Sequence, residues 1–158
     1  MNLTRTTRRR LQVGIMCFTV AAFGVSGTLL AQARKLDVHR IVFQIDSDSD
    51  VPMKHAISNA LNLIKYYQRK DEAVKIDFVT YGPGITMFRA DKSPVRGILD
   101  YIHNRVPQIS FFACGNTKSI IEKREGHPLS FVAGTRIVPS GIVKIVSLEE
   151  AGWAYVRP

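Results

Sequence analysis

Gln108-Ile109-Ser110-Phe111-Phe112-Ala113-Cys114-Gly115-Asn116-Thr117 is an aromatic-rich apolar run that halts at a cysteine, a glycine and two small polar residues. A short apolar run bounded in this way reads as a buried strand. The residues from Thr117 to about Arg124 fit a small helix that Gly126 closes. A strand that turns directly into a helix is half of a βαβ unit, and it needs neighbours of the same kind to bury its faces.

Those neighbours are present on both sides. Upstream, Val74 to Thr80 alternates and is β-branched, giving a strand that Tyr81-Gly82-Pro83-Gly84 should end in a tight turn. A short helical piece around Ile85 to Arg89 follows. Ser93-Pro94 then supplies an N-cap and a first-turn proline to a helix with Val95, Ile98, Leu99 and Ile102 on one stripe. Further back, His39 to Asp46 reads as a first strand. Met53, Ile57, Ala60, Leu61, Ile64 and Tyr67 recur at three- and four-residue steps, as in an amphipathic helix of about four turns.

Downstream, Arg136-Ile137-Val138 gives a fourth strand before Pro139-Ser140-Gly141. Ile142 to Glu150 is rich in β-branched residues, but Ser140 as cap and Gly152 as stop favour a helix with Ile142, Ile145, Val146 and Glu149 in register. Trp153 to Arg157 reads as a fifth strand. Strands and helices in strict alternation predict an α/β domain, a mostly parallel five-stranded sheet with helices on both faces.

The opening residues read differently. Residues 1–36 contain no Asp or Glu and carry Arg5, Arg8, Arg9 and Arg10 ahead of an apolar run from Leu11 to Leu30, the layout of an export signal. Ala31-Gln32-Ala33 is a small-x-small cleavage pattern, so residues 1–33 are expected to be removed, leaving 34–158 as the domain. Thr7-Arg8-Arg9-Arg10-Leu11-Gln12 resembles a twin-arginine signal, and a general secretory signal also carries several arginines. The glycines in the apolar run and the cleavage pattern argue against an uncleaved anchor, so the mature protein is expected in the periplasm or otherwise outside the cell, with no stable membrane anchor.

Cleavage would remove four arginines and no acid, taking the net charge from +9 to +5. That modest excess is spread along helix faces, which points to a solvated surface and away from nucleic acid. Cys17 would leave with the signal, so Cys114 would be the sole thiol and no internal disulfide could form. A lone thiol in an oxidising compartment is buried and inert, paired between chains, or reactive.

In an open parallel sheet, ligands gather beyond the carboxyl ends of the strands. The loops expected there are Asp46–Asp50, Tyr81–Gly84, Cys114–Thr117 and Pro139–Gly141. Cys114 stands at a strand-to-helix turn, where free N–H groups and the helix dipole favour an anion. The dipole is worth only about 0.3–1 kcal/mol, under one pK unit, so strong activation needs another group such as Lys118, the Asn116 side chain or a neighbouring subunit.

The candidate pocket comprises Tyr81, Gly82, Gly84, Gly115, Asn116, Thr117, Ser140 and Gly141. Asp46-Ser47-Asp48-Ser49-Asp50 resembles the start of a calcium loop but has Val51 and Ile57 where a glycine and a bidentate acid are needed, so it reads as a solvated strand exit. No glycine spacing matches a dinucleotide or P-loop fingerprint. His39, His55, His103 and His127 show no ligand spacing, and no metal is expected. His55 is a candidate base toward Cys114.

The Asn59-Ala60 helix, Val79-Thr80-Tyr81-Gly82-Pro83-Gly84, Phe112-Ala113-Cys114-Gly115-Asn116-Thr117, Val138-Pro139-Ser140-Gly141 and Gly152-Trp153-Ala154-Tyr155-Val156-Arg157-Pro158 together resemble the DsrE/DsrF-like family, and more narrowly its exported branch. The resemblance spans about His39 to Pro158. It implies a single flavodoxin-like domain without flavin or other cofactor, assembled as trimers or hexamers. It also implies sulfur relay, in which a cysteine after a central strand carries a persulfide; Cys114 matches that position. The relay proteins of the family are cytoplasmic and act with dedicated partner subunits, whereas this chain reads as exported, so their sulfur donor and acceptor do not carry over. A non-enzymatic oligomeric module that binds a small ligand or a partner, with Cys114 structural, is the competing expectation, and a Cys114 disulfide between protomers is a third.

Overall fold

A computed structural model describes residues 38–158; the expected signal and its cleavage site lie outside the described residues. Five strands form one sheet: β1 (Val38–Ile45), β2 (Ala73–Thr80), β3 (Ile109–Cys114), β4 (Thr135–Val138) and β5 (Ala154–Val156). Their order is β4-β3-β2-β1-β5, and every neighbouring pair is parallel. The described residues form a single α/β flavodoxin-like domain, as the alternation of elements predicts.

Parallel pairing aligns Val42 with Asp77 and Asp77 with Ser110, while Phe43 aligns with Phe78 and Phe78 with Phe111. Because side chains alternate across a strand, these two rows belong to opposite faces. The first face carries Ile41, Phe43, Ile76, Phe78, Phe111 and Ala113. It is covered by α1 (Asp50–Gln68), a 3-10 helix (Gly82–Phe88), α2 (Arg96–Arg105) and α3 (Gly115–Glu125) in a large apolar core. Right-handed crossovers in one direction, from β1 to β4, put these helices on one side.

The return from β4 to β5 crosses the sheet the other way, so α4 (Gly141–Glu150) lies on the second face. There it buries Ile145 and Leu148 on Val42, Val79 and Phe112. This ten-residue helix is the one α-helix packed on that face among the described residues.

Helix α1 starts where the Ser49 hydroxyl accepts the Val51 N–H at 3.4 Å, and Asp50 pairs with Lys54 at 2.6 Å across one turn. The Asp46–Asp50 segment thus ends a strand and starts a helix, with Ser49 as its cap and Asp50 in its first turn, as expected of a solvated strand exit. Met53, Ala56, Ile57, Ala60 and Ile64 form its buried stripe.

Three local expectations need correction. Tyr81–Gly84 is no simple turn: Gly82, at φ 53°, opens the 3-10 helix. Ser93 does not cap α2, whose N-cap is Val95 without a side-chain bond. The Ser93 hydroxyl instead donates to the Met87 carbonyl and accepts from the Val95 N–H, tying down the end of the 3-10 helix one turn early. Helix α4 is rotated from the expected stripe, burying Gly141, Ile145 and Leu148 and leaving Ile142 and Val146 half exposed. The rotation follows from Gly141, whose missing side chain lets the helix sit on Tyr81 and Cys114: a Cβ there would lie 3.0 Å from the Tyr81 Cβ and 3.3 Å from the Cys114 Cβ.

Candidate functional site

All strands point the same way, so the exits of β1 to β4 share one edge. Cys114 ends β3 and is the N-cap of α3. It is 4% exposed, and it belongs to neither apolar core cluster. Burial pushes the thiol up. The Thr117 hydroxyl outweighs this together with the N–H groups of Thr117, Gly141 and Asn116, and the thiol is held below its usual value. None of these contacts closes as a side-chain cap of α3, so they act as dipoles turned toward the sulfur.

The Thr117 hydroxyl has a second attachment. Its oxygen accepts the Gly82 N–H at 3.0 Å, leaving its own proton for the sulfur. The β2 exit therefore orients the group that favours the thiolate. Asn116 contributes least, and its N–H also donates to the Pro139 carbonyl at 3.2 Å, binding the β3 exit to the β4 exit.

The structure brings Cys114, Asn116, Thr117, Gly82, Tyr81 and Gly141 together. It gives Gly115, Gly84 and Ser140 other work. Gly115 packs under β4, where a Cβ would lie 3.0 Å from the Val138 carbonyl oxygen. Gly84 presses on the β1 exit, where a Cβ would lie 2.1 Å from the Ile45 carbonyl oxygen. Ser140 is the N-cap of α4 without a side-chain bond and lines a small apolar cleft with Val138, Pro139 and Val143.

Two of the activators expected for Cys114, Lys118 and His55, are placed elsewhere. Lys118 pairs with Glu122 at 2.7 Å, and His55 is exposed on α1, which covers the opposite face of the sheet. Thr117 takes their place. Its role was hidden in sequence because it depends on Gly82, which lies 35 residues away.

Two further groups at this edge carry no sequence signature. Gly82 and Thr117 line a cleft of about 430 Å³ that also contains Thr86, Arg89 and Glu125; Cys114 is not among its lining residues. Arg89, 3% exposed, forks onto both oxygens of Asp91 (3.0 and 2.6 Å) and both of Glu125 (2.8 and 2.8 Å). Arg89, with Lys92 assisting, holds Glu125 down to about 2. On the other side of Tyr81, Asp46 accepts from Gln44 at 3.0 Å and from Arg157 at 2.8 Å, and the Tyr155 hydroxyl donates to Gln44 at 2.5 Å. Burial first, then the Asp46 charge, pushes the Tyr81 hydroxyl up.

Among the described residues no group of three or more His, Cys, Asp or Glu side chains could hold a metal ion, and no helix is long and apolar enough to cross a membrane.

No family model matches the chain, and no curated protein matches it. Among solved structures, the protein of unknown function MTH1491 from Methanobacterium thermoautotrophicum is similar, with 32% sequence identity and a TM-score of 0.64. The match covers 76% of this chain and 99% of the archaeal one.

Proposed function

The chain belongs to the same family as the archaeal protein MTH1491, and we propose, from its own residues, that it handles sulfur, carrying sulfane sulfur as a persulfide on Cys114. The observation that carries this reading is the convergence of the Thr117 hydroxyl and three N–H groups on one thiol, which favours the thiolate that sulfur transfer requires. The Cys114 thiolate attacks the outer sulfur of a donor persulfide. A new sulfur–sulfur bond forms at Cys114, the donor's own sulfur–sulfur bond breaks, and the donor leaves as a thiolate. The proton of the transferred sulfur passes to the departing thiolate, and the charge left on the new outer sulfur stays near the same donors. The resemblance to DsrE/DsrF-like proteins supports this chemistry, and it brings with it a trimeric or hexameric assembly; the sequence of residues 1–33 supports export.

Mass spectrometry after exposure to inorganic polysulfide or thiosulfate tests it. One added sulfur on Cys114, absent from Cys114→Ser and reversed by dithiothreitol, is the expected result. A thiol that gains no sulfur in the folded protein overturns the reading.

One observation favours a second reading. With only 4% of Cys114 exposed, the residue suits a binding module in which the thiol packs under α4. That reading expects Cys114→Ala to keep assembly and ligand binding intact, whereas the carrier loses its activity entirely.

A further inference from the structure

Helix α4 covers only the upper part of the second face, and toward the amino ends of β2 and β3 a groove of about 430 Å³ stays open. Lys75, Asp77, Ser110, Phe112, Arg136 and Lys144 line it, with Trp153 at its side. Three cations and one carboxylate thus meet over the middle of the sheet. Asp77 is taken by Lys144, at 3.7 Å. Among the described residues neither Lys75 nor Arg136 forms an ion pair.

The Arg136 guanidinium lies 4.3 Å from the centre of the Phe112 ring, and the Lys144 ammonium lies 4.5 Å from the same centre. Both charges therefore lie within about a Debye length of each other. Like charges held this close repel, and the ring's attraction offsets part of the repulsion. A bound anion would offset the rest. The apolar ring beneath strengthens any charge interaction made above it, because it excludes water from one side.

We propose that this groove is a binding site for a small oxyanion, a carboxylate, phosphate or sulfate group, seated between Arg136, Lys144 and Lys75. Arg136 offers the planar fork that matches two oxygens, the lysines add point charges, and Ser110 supplies a hydroxyl at the wall. The volume suits a small molecule. The site is independent of the Cys114 chemistry, since Cys114 does not line it.

The chain contains one tryptophan, Trp153, and it borders the groove, so its fluorescence is a built-in reporter. Titration with sodium sulfate, sodium phosphate and sodium benzoate at matched ionic strength, repeated by calorimetry, should give a saturable response to at least one of them. Preference for sulfate or phosphate identifies a tetrahedral ligand; preference for benzoate identifies a carboxylate. Arg136→Gln should weaken binding by about tenfold or more, and Lys75→Gln should weaken it less. Both positions are exposed, so circular dichroism should show an unchanged fold. Lys123→Gln, which removes the same charge from the exposed side of α3, should bind as the parent does. Absence of saturable binding by all three anions overturns the proposal, and so does equal binding by the Arg136→Gln and Lys123→Gln proteins.

Discussion

The two faces of the sheet are built to different standards. The first face buries Phe43, Phe78, Phe88 and Phe111 under three α-helices and a 3-10 helix, with Phe43 edge-on to Phe78 at 5.5 Å. The second buries a handful of side chains under α4 and leaves the rest of its surface charged. Their buried charges differ in the same way. Arg89, on the first face, is closed by two carboxylates in bidentate geometry, whereas Asp77, on the second, has one lysine at 3.7 Å. A fully paired charge serves the fold, whereas Lys75 and Arg136, which line the groove beside Asp77 without an ion pair among the described residues, leave capacity for an anion. Cys114 stands where the two regimes meet, at the end of β3 and under the start of α4.

The sharpest way to break the first face is Gly84→Ala. The new Cβ would need to occupy space 2.1 Å from the Ile45 carbonyl oxygen, which is backbone and cannot swing away. A loss of about 4 kcal/mol or more is expected, read as a collapse of the thermal unfolding midpoint.

Next come paired deletions, one on each face. Phe78→Ala should cost about 4 kcal/mol and Ile145→Ala about 3. The stronger contrast lies in hydrogen exchange. The Phe78 variant should lose protection throughout the sheet, and the Ile145 variant chiefly in α4, because a helix over a small core opens locally. Equal loss everywhere in both proteins would remove the distinction between the faces.

Arg89→Met breaks the closed charge network and should cost about 3 kcal/mol. Its pH dependence has a definite sign. Glu125 is lowered in the folded state from 4.5 to about 2, so its contribution is complete above about 4.5 and is lost as pH falls toward 2. The parent and the Arg89→Met protein should therefore converge in stability across that window in urea titrations.

Thr117→Val should raise the Cys114 thiol, as read from ultraviolet thiolate absorbance against pH, and Thr117→Ser should restore it. An unmoved thiol would place the control of Cys114 in the backbone alone.

The smallest effect belongs to Asp77→Asn. Burial raises the Asp77 carboxyl against the opposing pull of Lys144 and Arg136, so its ionised form costs stability above the folded value. That cost disappears as pH falls below the unfolded value of 3.8. The variant should be more stable by about 0.5 kcal/mol near neutral pH, with the advantage vanishing in acid.

The fold was legible because its periods are strong. Ile109 to Cys114 and Val74 to Thr80 declare strands by β-branched and aromatic content, and Gly126, at φ 77°, ends α3 as a helix stop should. The rotation of α4 was not legible. Ile142 and Val146 look like core by spacing, and only the contact of Gly141 with Tyr81 turns them outward. The site divides in the same way. Cys114, Thr117 and Gly141 were marked by their place at strand exits, yet the hydrogen bond that makes Thr117 useful joins two loops remote in sequence. The Arg136–Phe112–Lys144 stack had no sequence signal, since its members come from β4, β3 and α4.

By itself, the order of residues determined which segments are strands and helices and that they alternate, because local periodicity and turn chemistry act over a few residues. It also placed the small and polar residues at the strand exits. Only tertiary structure decided which face each side chain serves, how deeply Cys114 is buried, and which cations converge over Phe112. Those outcomes depend on strand order and on close approach between segments distant in the chain, and no local pattern encodes either.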